Sequence, residues 1–282
     1  MPNMRDLKRR IRSVQNTQHI TRAMKMVAAA KLRRAQSQVT AARPYAAKLQ
    51  EVMQRLIVAV DPESQPLAAS REVKKVGYVV ITGDRGLAGG YNANIIRLVE
   101  EKLRSEDRPS GLVCVGRKGR EYFKRRQVEM VKTFSDIGDI PEYVQARELA
   151  RQLIDLFLQG TFDEVNLAYT RFRSAISQEP QIDQLLPIKS SGESDESGEY
   201  IYEPSPAEVL QSLLPRYCEI RVYQALLEAK ASEHGARMTA MDNATKNAAE
   251  MIDKFTLSFN RARQAAITRE ISEIVAGADA LK

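Results

Sequence analysis

Cysteine and histidine are almost absent from this chain: Cys114 and Cys218 are its thiols, and His19 and His234 its imidazoles, among 282 residues. Two cysteines are too few for a disulfide framework or a thiolate zinc site. Two histidines so far apart argue against a Ser-His-Asp triad or a histidine-rich metal centre, so no catalytic residue, cofactor or metal ligand is assigned. No stretch approaches the roughly 20 apolar residues that a membrane span needs. The amino end, with Arg5, Lys8, Arg9 and Arg10, leads into no apolar signal core. A soluble chain kept in a reducing compartment is expected. Aromatic side chains are also scarce near the amino end, with none before Tyr45.

Acidic residues are scarce there too. Residues 1–60 carry 13 Lys and Arg against 2 Asp and Glu, whereas 61–190 carry 20 against 19 and 191–282 carry 10 against 15. The overall charge of +7 and pI near 9.3 admit acidic partners of several kinds. Without aromatics to interleave with the basic residues, base stacking has no platform, and nucleic acid is disfavoured as a partner. The last segment's deficit centres on Glu193, Asp195, Glu196, Glu199 and Glu203 in a Ser/Gly-rich run, which reads as a solvated linker over 191–205.

Both ends read as long helices. From Ala28, small or apolar residues recur through Leu32, Ala35, Val39, Ala42, Ala46, Leu49, Met53, Leu56 and Val60, stepping by three and four as a coiled-coil seam does. Upstream, Leu7, Ile11, Val14, Gln18, Thr21, Met24 and Ala28 keep the rhythm except for a repeated three at Thr21–Met24, a stammer that predicts local overwinding. Pro44 either kinks this 1–60 helix or is tolerated with one lost hydrogen bond. The carboxyl arm, 206–282, steps likewise through Ala231, His234, Met238, Met241, Thr245, Ala248, Ile252, Phe255, Phe259, Ala262 and Ala266, with Pro215 and Gly235 as expected bends. Ile267, Ile271, Ile274 and Ala278 then follow a shifted stripe. No single globular core buries helices of that length. An antiparallel coiled coil of the two arms is the natural pairing, and an intermolecular coiled coil is its rival.

Between them, 73–190 reads as one Rossmann-like α/β domain. Strands are expected at 76–81, 111–115, 127–133, 164–169 and 185–188, with helices at 94–103, 118–126 and 142–158, giving a parallel or mixed sheet covered on both faces. The fold class is therefore α/β, with a long antiparallel coiled coil of the N- and C-terminal helices. The first strand runs into Thr82-Gly-Asp-Arg-Gly-Leu-Ala-Gly-Gly-Tyr-Asn92. Glycine-rich loops there often cradle phosphate, but this one lacks the Gly-Lys-Ser/Thr ending of a P-loop and the spacing of a dinucleotide fingerprint. A turn needed for close backbone packing is the plainer reading. A nucleotide-dependent enzyme and a basic nucleic-acid-binding coiled coil remain the alternatives to a structural protein.

Several blocks resemble the gamma subunit family of F-type ATP synthases: Ile11–Gln18, Ile20–Lys31, Ala42-Arg-Pro-Tyr45, the Thr82–Asn92 loop, Tyr200–Pro204, Ala229–His234 and Ile267–Ala278. The similarity covers essentially the whole chain. Ala88 stands where many members carry cysteine, and no cysteine pair occurs where chloroplast members carry a redox insert, so thiol regulation is not expected. The resemblance implies a non-catalytic rotor shaft that couples proton flow through a membrane c-ring to ATP synthesis or hydrolysis in a ring of alpha and beta subunits. Epsilon would be a further partner, nucleic acid would not, and the membrane would be met only through the complex. The expected location is peripheral, on the cytoplasmic face of a bacterial cell membrane.

The resemblance also carries residue roles. Arg263 and Gln264 match positions that engage a beta-subunit loop, and Met24 and Lys25 match an amino-helix position near beta. Thr268, Glu270 and Glu273 match a coupling motif that meets the amino helix, with intrahelical pairing such as Arg269 with Glu273 as the plainer account. Tyr200 and Glu203 match the foot that faces the c-ring and epsilon.

Overall fold

The computed structural model describes residues 4–60, 65–135, 137–189 and 202–279. Its elements are α1 (Met4–Ala59), β1 (Val76–Ile81), α2 (Tyr91–Ser105), β2 (Ser110–Val115), α3 (Arg117–Arg125), β3 (Met130–Phe134), α4 (Tyr143–Leu158), β4 (Glu164–Phe172), β5 (Gln178–Leu186) and α5 (Pro206–Asp279). Contacts divide the chain into two compact units, Met1–Val27 with Met238–Lys282, and Ala28–Arg237.

In the larger unit the sheet order is β3-β2-β1-β4-β5, with β1 to β4 parallel and β5 antiparallel to β4. The continuous apolar runs of β1 and β2 follow from burial on both faces. Val76, Tyr78, Val80, Leu112 and Cys114 meet α2 and α3 through Ile95, Val99 and Phe123. Val79, Ile81, Val113 and Val115 face the opposite way, in one cluster with Leu149, Leu153 and Phe157 of α4, Met53 and Leu56 of α1, and Cys218, Val222 and Leu226 of α5. Arg71, in the connection before β1, ties that segment down: Nη2 donates to the carbonyls of Phe157 (2.7 Å) and Phe162 (2.6 Å), and Nε pairs with Asp163 at 2.8 Å.

Three expected strand bounds shift. β3 begins at Met130 instead of Gln127, β4 extends to Phe172, and the last strand is Gln178–Leu186 instead of Leu185–Ile188. That strand, Gln-Glu-Pro-Gln-Ile-Asp-Gln-Leu-Leu, lies at the sheet edge and is only partly buried over most of its length. It therefore needs no apolar run, and an edge tolerates Pro180.

α1 continues through Pro44, and α5 through Pro215 and Gly235. Within the larger unit the α1 seam is buried at Ala28, Leu32, Ala35, Val39, Ala46, Leu49, Met53 and Leu56. In the smaller unit Leu7 and Thr21 of α1 and Met241 and Ala248 of α5 are buried. The two helices run antiparallel there: Thr21 meets Thr245 through their hydroxyls at 2.8 Å, and Lys25 pairs with Asp242. The polar Thr–Thr contact falls at the three-residue stammer, where the seam gives up an apolar position. Ile267, Ile271, Ile274 and Val275, near the end of α5, are about half or more exposed. Most of the 191–205 acidic segment lies outside the described residues.

Candidate functional site

The glycine-rich loop after β1 spends its polar groups on the protein's own helices. Asp84 Oδ1 accepts the Arg117 N–H at 2.9 Å, the Gly83 carbonyl accepts that of Lys118 at 3.1 Å, and Thr82 Oγ1 accepts that of Gly119 at 2.9 Å. The first donors of α3, which would otherwise favour a phosphate, are thus capped from within. Gly116 sits at φ +93° with its missing Cβ only 2.2 Å from the Thr82 carbonyl oxygen, an approach that no side chain permits. The plainer reading of the loop, a turn for close backbone packing, is the one the geometry supports.

The same loop receives α5. A Cβ on Gly83 would stand 3.0 Å from the Glu233 carboxylate, and Arg237 Nη2 donates to the Gly86 carbonyl at 3.2 Å. Glu233 is buried between two cations of its own helix, Lys230 at 3.1 Å and Arg237 at 2.8 Å. Burial alone would raise its carboxyl above the usual range, but the two cations hold it below. One turn earlier, buried Glu228 accepts the Phe172 backbone N–H at 2.8 Å and pairs with Arg43 of α1 at 3.0 Å. Ser232 donates to the Thr170 carbonyl at 3.0 Å. Across the same face Lys31 of α1 pairs with Asp139 at 2.6 Å, which lowers the Asp139 carboxyl. His234 is buried with Nε2 3.4 Å from the Asp139 carbonyl oxygen, and burial pushes its pKa down.

From Ala225 to Gly235, α5 is buried all round. The sequence Ala-Leu-Leu-Glu-Ala-Lys-Ala-Ser-Glu-His-Gly carries its charges where a surface helix would show a polar face, and sequence reasoning assigned Glu228, Lys230, Glu233 and Arg237 no role. The available signal was compositional: small residues on every side of a turn let neighbouring backbones close over its charges.

The residues singled out by resemblance are not gathered into one place. Arg263 and Gln264 are exposed on α5. Met24 is half-buried, and Lys25 is engaged with Asp242, which Lys246 also meets at 2.9 Å. Thr268, Glu270 and Glu273 are exposed; among the described residues none bonds to α1, and the Arg269–Glu273 pairing is not formed. The Thr268 carbonyl accepts the Ser272 hydroxyl at 2.9 Å. Glu203 is exposed, and Tyr200 lies outside the described residues. Among the described residues no cluster of three or more His, Cys, Asp or Glu could hold a metal, and no helix is long and apolar enough to cross a membrane.

An α/β domain whose glycine-rich loop caps α3 and meets α5, in a chain with long helices at both ends, has the build of a structural subunit. The comparisons give that class its family. A family model described as ATP synthase matches residues 3–281. The ATP synthase gamma chain of Moorella thermoacetica is 77% identical over 282 residues, and that of Heliobacterium modesticaldum 56% identical over 290, each alignment covering 100% of both chains. Among solved structures, a chain from the central stalk and c-ring of the Tetrahymena thermophila mitochondrial ATP synthase matches at 29% identity and TM-score 0.62, covering 80% of this chain and 99% of its own. A chain of the Euglena gracilis mitochondrial enzyme has the same fold at 20% identity, with TM-score 0.72 over 99% of this chain and 94% of its own. The chain belongs to the ATP synthase gamma family. It is a non-catalytic central-stalk subunit acting in rotary coupling, and it belongs to the F1 part, which is peripheral to the membrane.

Proposed function

We propose that this chain transmits torque between a proton-driven c-ring and an alpha–beta catalytic ring at the cytoplasmic face of a bacterial membrane, with epsilon at its foot. The observation that supports this most directly is the anchoring of α5. One unbroken helix, Pro206–Asp279, is gripped between Glu228 and Arg237 by the Arg43–Glu228 ion pair to α1 and by hydrogen bonds to the Phe172 N–H and to the Thr170 and Gly86 carbonyls. The same helix ends in the exposed apolar side chains Ile267, Ile271, Ile274 and Val275. A helix held so firmly at one stretch and unpartnered at another suits the delivery of rotation to surrounding subunits.

On this reading Arg263 and Gln264, both exposed, make the charge-assisted contact with beta. Thr268, Glu270 and Glu273 act in the same assembled region, Met24 and Lys25 contribute from the amino helix, and Tyr200 with Glu203 serve the foot. The test is ATP-driven proton pumping in inverted vesicles carrying the assembled complex. Arg263→Ala with Gln264→Ala should lower pumping per ATP hydrolysed while leaving the melting temperature of the chain unchanged. Full coupling in that double variant would remove the beta-contact assignment, and an alpha–beta complex that pumps equally well without this chain would remove the rotor reading.

A further inference from the structure

Beside the contacts of α5, the carboxyl ends of β1, β2 and β3 open into a cavity of about 550 Å³. Ligands of open α/β sheets collect at that end, and the volume falls within the range of small-molecule pockets, roughly 300–1,000 Å³. Its wall carries Arg85, Arg117, Arg120 and Lys230 together with Asp84, Asp139 and Glu233. The three carboxylates are already engaged: Asp84 caps α3, Asp139 holds Lys31, and Glu233 holds Lys230 and Arg237. The arginines are not. Arg85 and Arg120 make no side-chain hydrogen bond or ion pair among the described residues, and the only ion pair of Arg117 is a 3.7 Å contact with half-exposed Glu121. Three guanidinium forks around one cavity match the oxygens of a multiply charged phosphate, which arginine binds in bidentate fashion.

We infer that this cavity is a binding site for a diphosphate group, held by Arg85, Arg117 and Arg120. The arrangement differs from a P-loop, because the N–H groups of α3 are taken and the side chains do the recognition. No aromatic ring lines the cavity, so nothing stacks a base and the diphosphate supplies the affinity. Free pyrophosphate and the diphosphate of a nucleotide share that chemistry.

Isothermal titration of the full chain with pyrophosphate, inorganic phosphate, ADP and adenosine separates them. Saturable one-to-one binding of pyrophosphate is expected, with inorganic phosphate weaker by about tenfold or more, since fewer charged bonds form. ADP binding as tightly as pyrophosphate, with adenosine silent, would place the recognition in the diphosphate; ADP excluded while pyrophosphate binds would assign the site to the free anion. Arg85→Gln with Arg120→Gln should weaken pyrophosphate by more than about tenfold at an unchanged melting temperature. Arg97→Gln with Arg126→Gln, in a different surface cavity, should not weaken it. No saturable binding, or equal losses in both double variants, overturns the inference. So does displacement of pyrophosphate by a hexaglutamate peptide at concentrations where ADP fails, which would assign the arginines to an acidic protein segment.

Discussion

Replacing Glu233 by alanine tests how far the buried charge cluster within α5 stabilises the fold. The carboxylate is nearly inaccessible, its side chain 5% exposed, and the cations it serves are scarcely more so, Lys230 at 11% and Arg237 at 12%. Removing it leaves Arg237 with the Gly86 carbonyl alone and Lys230 without its carboxylate, and breaking a buried pair in this way costs about 3–5 kcal/mol. For a unit of this size about 1 kcal/mol corresponds to about 2–4 °C in melting temperature, so the variant should melt on the order of 10 °C below the parent. Glu179→Ala is the control, because the Arg173–Glu179 pair has both side chains about half exposed and a pair of that kind is worth about 1 kcal/mol or less. Glu233→Gln, which keeps hydrogen-bond capacity without charge, should fall between them. Differential scanning calorimetry of the full chain reads all three. A Glu233→Ala midpoint within about 2 °C of Glu179→Ala would refute the reasoning, showing that Lys230 and Arg237 find water once released. The charge has a pH signature as well. Because the folded carboxyl lies below its ordinary value, its contribution is present above the unfolded pKa of about 4.3 and is lost as pH falls through the folded one.

Other perturbations probe separate features. Gly116→Ala should destabilise the α/β domain by several kcal/mol in urea unfolding, whereas Gly86→Ala, with open space around its Cβ, should cost under about 1 kcal/mol. Equal costs would show that the close approach to Thr82 relaxes freely. Arg43→Ala leaves buried Glu228 with only the Phe172 N–H, and a loss of roughly 2–4 kcal/mol is expected in the same assay. His234 is held neutral by burial, with its folded pKa below the unfolded value near 6.5. Its contribution is therefore full above pH 6.5 and falls as pH drops toward the folded pKa; His234→Gln should remove that slope between pH 7 and 5.5, and a parental slope in the variant would place the titration elsewhere.

Sequence periodicity carried the long elements because each has one dominant contact pattern. The α1 seam was legible from its three-and-four steps, and Val76–Ile81 from an apolar run that burial on both faces demands. The expected strand at 185–188 overlaps β5 only at Leu185 and Leu186, because an edge strand with polar neighbours shows no apolar run. The grip on α5 was not legible for a different reason. Glu228, Lys230, Glu233 and Arg237 look like ordinary solvated helix charges until the chain segments that cover them are known, and those segments, Arg43, Gly83–Gly86 and Phe172, are far away in sequence. The residues named by resemblance, such as Arg263 and Glu273, are exposed, so this chain's own contacts do not mark them out.

The loop Thr82–Gly86 bonds to two helices at once, capping α3 through Thr82, Gly83 and Asp84 while Gly83 and Gly86 meet Glu233 and Arg237 of α5. Its tolerance for substitution is therefore collective. A bulkier residue at 83 displaces the Glu233 carboxylate, and the loop cannot retreat to make room without withdrawing the caps of α3. Changes at 83, 116 and 233 are expected to show non-additive costs, so drift at any one of these positions is constrained by the state of the other two. A double-mutant cycle between Gly83→Ala and Glu233→Gln would measure that dependence for one pair, and strict additivity would mean that positions 83 and 233 vary independently.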